Sequence, residues 1–227
     1  MKEVRLYCLS CAGGTGALYK DWEELGIEVY PVEYAGHGSR FQEPLYCSVD
    51  EAVEDIFLQI DTSCPYALFG HSMGSILCYE LIIHLQKEHC PLPEHVFFSA
   101  SNPPEVMLYN KYDTMSDSIL LEKLYQMGGM ERDIIENSKL MEIFLPIIRS
   151  DFNLLSSYKC NKEWPLVECD ISILFGKDDF ATMWHDLRLW YKYTMKNCRF
   201  KAFSGGHFYL HENKQLLFTY IRTQFEK

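Results

Sequence analysis

No stretch of this 227-residue chain approaches the run of about 18 uncharged apolar residues that a membrane-spanning helix needs. The opening residues, Met1-Lys2-Glu3-Val4-Arg5-Leu6-Tyr7, lack the apolar core and the small-residue cleavage site of a secretion signal. Positive charge is scarce. With 21 Lys+Arg against 32 Asp+Glu the formal net charge is −11. A field of that sign repels phosphate backbones, so nucleic acid is not an expected partner. Repeats, low-complexity tracts and linkers are also missing. A composition of 48% hydrophobic and 23% charged residues excludes intrinsic disorder, and the length fits one domain over residues 1–227. The nine cysteines are an odd number, so at least one has no partner within the chain. With no signal segment, this reads as an intracellular, cytoplasmic protein without a membrane anchor, its thiols reduced and mostly buried as small hydrophobes. A monomer is the default expectation.

What is present is an alternation of short β runs and longer helical stretches. Val4–Cys8, Ile27–Val32, Tyr66–Phe69, Val96–Ala100, Ile171–Phe175 and Arg199–Ser204 read as strands. Helical spacing runs from Val49 to Ile60, with Ser48 as N-cap and Glu51 completing a capping box. Further helices are expected over Ser75–Glu88, Met183–Lys196 and Asn213–Phe225. Strands separated by helices imply parallel βαβ units, hence an α/β fold with a mostly parallel central sheet and helices on both faces. One region breaks the alternation. Between Pro103 and Cys169 the sequence offers short helices, Ser116–Gln126, Glu131–Asn137 and Leu140–Arg149, and no strand. This helical insertion, approximately 103–169, reads as a cover over a site.

Gly70-His71-Ser72-Met73-Gly74 matches G-x-S-x-G between an apolar strand and a helix, the context that turns the match into evidence for a serine nucleophile. A serine exposed at such a turn needs a strained backbone, and side chains two positions to either side would collide with it. The helix that follows aims its N-terminal dipole at a developing oxyanion. His71 is read as a structural neighbour that points away from the serine.

A serine nucleophile needs a base, and the base needs a carboxylate to fix its tautomer. In a strand–turn–helix serine hydrolase the chain order is serine, acid, histidine. Of eight histidines, His207 fits best, in the loop Ser204-Gly205-Gly206-His207-Phe208 just after a strand. His211, four residues on, could pair with it, but the Glu of a zinc-protease motif is missing. Asp179 in Gly176-Lys177-Asp178-Asp179 ends a buried strand and is the favoured acid. Asp178 is read as a loop cap and Asp151 as a more distant alternative. The oxyanion needs two backbone donors: the N–H of Met73 and, from the loop after the first strand, that of Ala12. Gly13-Gly14 lacks the Gly-Lys-Ser/Thr ending of a P-loop and could also simply make a turn. Cys8-Leu9-Ser10-Cys11 is formally C-x-x-C, but it lies in a strand and no second pair exists, which argues against redox or metal chemistry.

Along essentially its whole length the chain resembles the type II (editing) thioesterases that accompany nonribosomal peptide and polyketide synthases, members of the α/β-hydrolase superfamily. Leu9-Ser10-Cys11-Ala12-Gly13-Gly14 is similar to the family's F-P-x-A-G-G loop, and Tyr34-Ala35-Gly36-His37-Gly38-Ser39-Arg40 to its P-G-R-G-x-R segment. Phe69-Gly70-His71-Ser72-Met73-Gly74 matches its F-G-H-S-M-G elbow. Leu145-Pro146-Ile147-Ile148-Arg149-Ser150-Asp151-Phe152 resembles its L-P-x-x-R-A-D-F stretch, and Gly205-Gly206-His207-Phe208 matches its G-G-H-F. Ser10, Ala35 and Phe180 stand where the family has prolines. The resemblance implies Ser72 as nucleophile, His207 as base, Asp179 as orienting acid, and Met73 and Ala12 as oxyanion donors. It implies no cofactor of the chain's own, because the phosphopantetheine arm arrives on a carrier protein, the implied partner. The implied task is clearing stalled acyl or peptidyl groups in secondary-metabolite, including antibiotic, biosynthesis. A carboxylesterase or lipase with the same triad remains the alternative, since the catalytic atoms are shared. Attraction to an acidic carrier would need a local basic patch, with Lys111, Lys123, Arg132, Lys139 and Arg149 as candidates, or else an apolar contact.

Overall fold

Six apolar runs pair side by side, all parallel, and helices fill the connections between them. The computed structural model describes residues 4–107, 112–158, 165–182 and 184–226. Its strands are β1 (Arg5–Leu9), β2 (Glu28–Pro31), β3 (Tyr66–His71), β4 (His95–Ser99), β5 (Asp170–Gly176) and β6 (Cys198–Phe203), in the sheet order β2-β1-β3-β4-β5-β6. Every residue of β3 and β4 is buried, whereas the edge strand β2 is largely exposed. This is why the central strands read as continuous apolar runs: both of their faces are covered. The two-residue alternation sorts side chains between two cores. Tyr7, Leu68, Phe98 and Ile173 face one core, and Leu6, Phe69, Phe97 and Leu174 face the other.

On the first face lie α1 (Val49–Phe57) and α2 (Met73–Lys87). Ser48 caps α1 by accepting the Glu51 N–H, while the Glu51 carboxylate accepts the Cys47 N–H, a reciprocal arrangement that the spacing predicts. Between β4 and β5 stand α3 (Pro104–Met107), α4 (Asp117–Met127), α5 (Arg132–Ile135) and α6 (Ser138–Ser157). The chain ends through α7 (Trp184–Leu187), α8 (Tyr209–Glu212) and α9 (Lys214–Thr223), with α9 packing on the second face through Leu217, Phe218 and Ile221.

Two stretches depart from the pattern read in the sequence. The helix expected over 140–149 runs instead for 20 residues with Pro146 inside it. The polar Ser150-Asp151 pair resembles a helix end, yet Asp151 is buried and bonded, so the helix continues. The helix expected over 183–196 is a single turn, α7, followed by a 3₁₀ turn at Arg188–Lys192. Trp190 dives into the core, stacks on Phe98 at 4.3 Å and donates its indole N–H to the Ser101 carbonyl. By Thr194 the chain must be extended to bridge to Val167, and a continuous helix cannot do both.

Trp190 therefore anchors β4 beneath the loop that enters the insertion. Trp190→Ala should cost about 3–5 kcal/mol of stability, measured as a lower urea midpoint with an unchanged slope.

Candidate active site

At the C-terminal edge of the sheet, β3 turns into α2 within one residue. Ser72 has φ 55° and ψ −114°, a left-handed conformation costly for a residue with a side chain. Its neighbours hold it there: the Ser72 N–H donates to the Ser99 carbonyl at 2.7 Å, and the Ser75 hydroxyl bridges the Gly70 carbonyl and the Ser99 backbone. The flanking glycines have a steric reason. A Cβ on Gly70 would sit 2.3 Å from the Gly74 oxygen, and one on Gly74 would sit 2.3 Å from the Leu9 oxygen.

His207 lies in the loop after β6 and is buried. Its Nδ1 is 2.9 Å from Asp179 Oδ2. Asp179, in the loop after β5, is itself buried and accepts two further bonds, from the Ala181 N–H to Oδ1 and from the Thr182 hydroxyl to Oδ2. Because the carboxylate accepts, Nδ1 carries the proton, and Nε2 is the nitrogen left to act as a base. Asp178 is exposed beside it. Asp151 lies elsewhere, with Gly13 and His37 as its partners.

Ser72 and His207 open onto one cavity of about 1140 Å³, counting its mouth. Ala12 and the rest of the Cys11–Gly14 loop line it on one side. Leu124, Met127, Met130, Ile148, Phe152 and Leu155 of the insertion line another, and Lys123 and Phe180 also belong to its wall. Met73 begins α2, where an α-helix leaves its backbone N–H groups without internal partners. The structure thus gathers Ser72, His207, Asp179 and Ala12 around one region, with the Met73 N–H adjoining the serine.

Sequence reasoning missed two features. Thr182 holds Asp179 and gave no motif signal. The Asp151–His37 pair joins residues 114 positions apart. His71, read as a structural neighbour, packs its ring 5.3 Å from that of His207. Burial, then the neighbouring charges of His207 and His211, push the His71 pKa well below the ordinary histidine value, so it stays neutral behind the base. Its Nδ1 meets the Ser99 hydroxyl at 2.9 Å, which continues to the Tyr209 hydroxyl.

Cys8 and Cys11 are free. Burial first, then the charge of Asp151, pushes the Cys11 thiol up to about 12, which leaves it protonated and unreactive at neutral pH. Among the cations expected to face a carrier, Lys111 lies outside the described residues. Arg132 and Arg149 pair with Glu122 and Asp117 of the insertion itself, Lys123 sits over the Tyr112 ring at 4.7 Å, and Lys139 is exposed. No helix among the described residues is long and apolar enough to cross a membrane.

A family model described as "Thioesterase domain" matches residues 4–225. The chain is 31% identical over 229 residues to the medium-chain S-acyl fatty acid synthase thioesterase of Anas platyrhynchos, covering 96% of this chain and 90% of that one. It is 26% identical over 228 residues to the gramicidin S biosynthesis protein GrsT of Aneurinibacillus migulanus, covering 98% and 89%. The crystal structure of ClbQ from the colibactin NRPS/PKS pathway superposes with a TM-score of 0.90 at 31% identity, over 99% of this chain and 97% of that one.

Gly74→Ala tests the turn. With the Leu9 and Ser10 carbonyls in the way, the substitution should destabilise the protein by about 2–4 kcal/mol, read as a fall in thermal midpoint.

Proposed function

The chain belongs to the thioesterase family, and on that premise we propose that it hydrolyses acyl thioesters held on the phosphopantetheine arm of carrier proteins, clearing stalled chains from nonribosomal peptide or polyketide synthases. The observation that carries this reading is geometric. Ser72 and His207 share one cavity, and His207 Nδ1 lies 2.9 Å from the buried Asp179 carboxylate.

Ser72 Oγ attacks the thioester carbonyl while His207 Nε2 takes its proton. Asp179, steadied by Ala181 and Thr182, orients the ring and stabilises the imidazolium. The Met73 and Ala12 N–H groups bind the oxyanion, where preorganised donors contribute most. When the tetrahedral intermediate collapses the C–S bond breaks, and the imidazolium protonates the departing pantetheine thiolate. A water then adds to the acyl-serine, giving its proton to His207. The C–O bond to Ser72 breaks, the free acid leaves, and the proton returns to the serine. No cofactor of the protein's own enters these steps.

The helical insertion, 103–169, serves as the acyl-side cover. Its methionines, Met127 and Met130, give an adaptable wall, which suits a substrate range broad enough for editing. The family resemblance and the relative named for gramicidin S biosynthesis support a synthase-linked role. A cytoplasmic location fits the eight described cysteines, all free.

Ser72→Ala should retain the fold and lose at least about 10³-fold in turnover of acyl-carrier thioesters. The check is intact-mass analysis of acylated carrier proteins incubated with enzyme, across short and long chains. Retained turnover would refute the nucleophile. Wild-type turnover of p-nitrophenyl esters that far exceeds that of every carrier thioester would favour the esterase alternative.

A further inference from the structure

A second buried histidine–aspartate pair lies behind the oxyanion loop and takes no part in the proton transfers above. Asp151, on the inner side of α6, and His37, in the loop after β2, are 3% and 1% exposed. Asp151 Oδ2 accepts the Gly13 N–H at 2.7 Å and lies 3.0 Å from His37 Nε2. His37 Nδ1 is 3.0 Å from the Ala35 carbonyl. A carbonyl can only accept, so Nδ1 carries a proton. Asp151 Oδ2, already accepting from Gly13, is satisfied best by a second donor. Both ring nitrogens therefore donate, and the pair is an imidazolium against a carboxylate.

What the pair grips is a turn. The Gly14 N–H donates to the Cys11 carbonyl at 2.9 Å, and Gly13, with φ +69°, occupies the third position, where a type II turn needs the left-handed region. Types I and II differ by a flip of the central peptide, here Ala12–Gly13, and in this segment neither Gly13 nor Gly14 has a side chain to resist it. Asp151 supplies the resistance. A flip would remove the Gly13 N–H from the carboxylate and turn the Ala12 carbonyl oxygen towards a negative charge. Ile148, one turn earlier on α6, closes the same spot: a Cβ on Gly13 would meet its Cγ1 at 2.8 Å.

We propose that Asp151, charged and oriented by His37, is a positioning residue that pins the Gly13 N–H and so seats the whole Cys11–Gly14 turn against α6, holding in place the loop that presents the Ala12 N–H to the substrate oxyanion. The Gly13 N–H, being engaged, is then not an oxyanion donor. This inference rests on the reading of Ala12 given above and deepens it.

The pair also carries a pH signature. Burial disfavours charge on His37, but the hydrogen bond and charge of Asp151, with the Ala35 carbonyl and Glu33 adding to them, outweigh it and raise the His37 pKa. The other titratable groups facing the pair are Cys11, with a pKa near 12, and Tyr34, pushed well above the ordinary tyrosine value by burial, so both stay neutral. A raised histidine pKa means the grip is complete below the ordinary value and is lost as pH climbs through the raised one. Neutral His37 must give up one of its two bonds.

The test uses the full-length protein with an activated acyl ester and with acyl-carrier thioester, and measures kcat, KM and thermal midpoint separately. Asp151→Ala should lower kcat by about 10- to 100-fold, within the range for a displaced oxyanion donor, and leave KM little changed. Asp151→Asn keeps an acceptor for the Gly13 N–H. It should lose less rate and should also lack the alkaline fall in kcat that the proposal expects of the wild type. His37→Gln, whose amide can still donate to Asp151, should retain most of the rate and share the flattened profile. Wild-type kcat in Asp151→Ala, with only its thermal midpoint lowered, would overturn the proposal. Should that variant not fold, Asp151→Asn decides, and a pH–kcat profile superimposable on the wild type would overturn it equally. Ser72→Ala run alongside separates the two levels. If it is active, the parent mechanism fails; if it is inactive beside an unimpaired Asp151→Ala, only the positioning role fails.

Discussion

A strand that becomes a helix within one residue must bend its backbone where backbones resist bending, and Ser72, at φ 55°, is that residue. Such a conformation costs about 1–3 kcal/mol and persists only where the surroundings over-determine it. Here they do so from three sides. Gly70 and Gly74 remove the side chains that would collide with Gly74 and Leu9, the Ser75 hydroxyl ties the turn to β4, and the Ser72 N–H is bonded to Ser99. The parallel sheet supplies the rigidity behind these contacts, since β3 is buried along its whole length between β1 and β4. The positions of the loops proposed to carry the base, the acid and the oxyanion donor have meaning only relative to an oxygen held still in this way.

The structure holds two buried histidine–aspartate pairs, one at the cavity and one behind the Cys11–Gly14 loop, and their difference explains which can do acid–base work. His207 commits one nitrogen to Asp179 and stands at the wall of an open cavity, so its other nitrogen can exchange a proton with a reactant. His37 commits both nitrogens and is sealed, so any proton it gives up costs a bond. A buried ion pair of that kind adds little net stability against a well-packed apolar alternative, but removing one partner leaves the other charge stranded. Its use is orientation. His71, neutral and packed at a tilt against His207, adds no second positive charge should His207 become an imidazolium.

What could be read in the sequence followed from how local each signal is. The elbow, the glycine-flanked His207 and the carboxylate ending β5 each declare themselves within about six residues, because the strains they answer are local ones. The central strands were legible for a similar reason: a strand covered on both faces must be apolar without interruption. The ends of α6 were not legible. A helix stops at polar residues when those residues face water, and nothing local says that Asp151 faces Gly13, 138 positions earlier. Nor could spacing reveal that Trp190 leaves its expected helix for the core, since a tryptophan at that place suits either fate. His37 precedes the last core strands and so fits the serine–acid–histidine order badly, an argument sound for a base and silent about positioning.

The length of α6 has a consequence for selectivity. The same helix places Ile148, Phe152 and Leu155 on the cavity wall and Asp151 on the Cys11–Gly14 loop, with Ile148 next to both. Protein interiors are close-packed, so a side chain exchanged on that wall is accommodated by shifting its helix as well as by local repacking. Moving α6 by a few tenths of an ångström changes the grip on Gly13, and catalytic donors tolerate little misplacement. On the proposed roles, acyl-chain preference and rate are therefore coupled through one rigid element. Wall residues such as Leu124 and Met127 are carried on α4, a different helix from the one that bears Asp151. The physical expectation is that substrate range is tuned more freely from α4, while the α6 side of the cavity is held by the geometry of the chemistry.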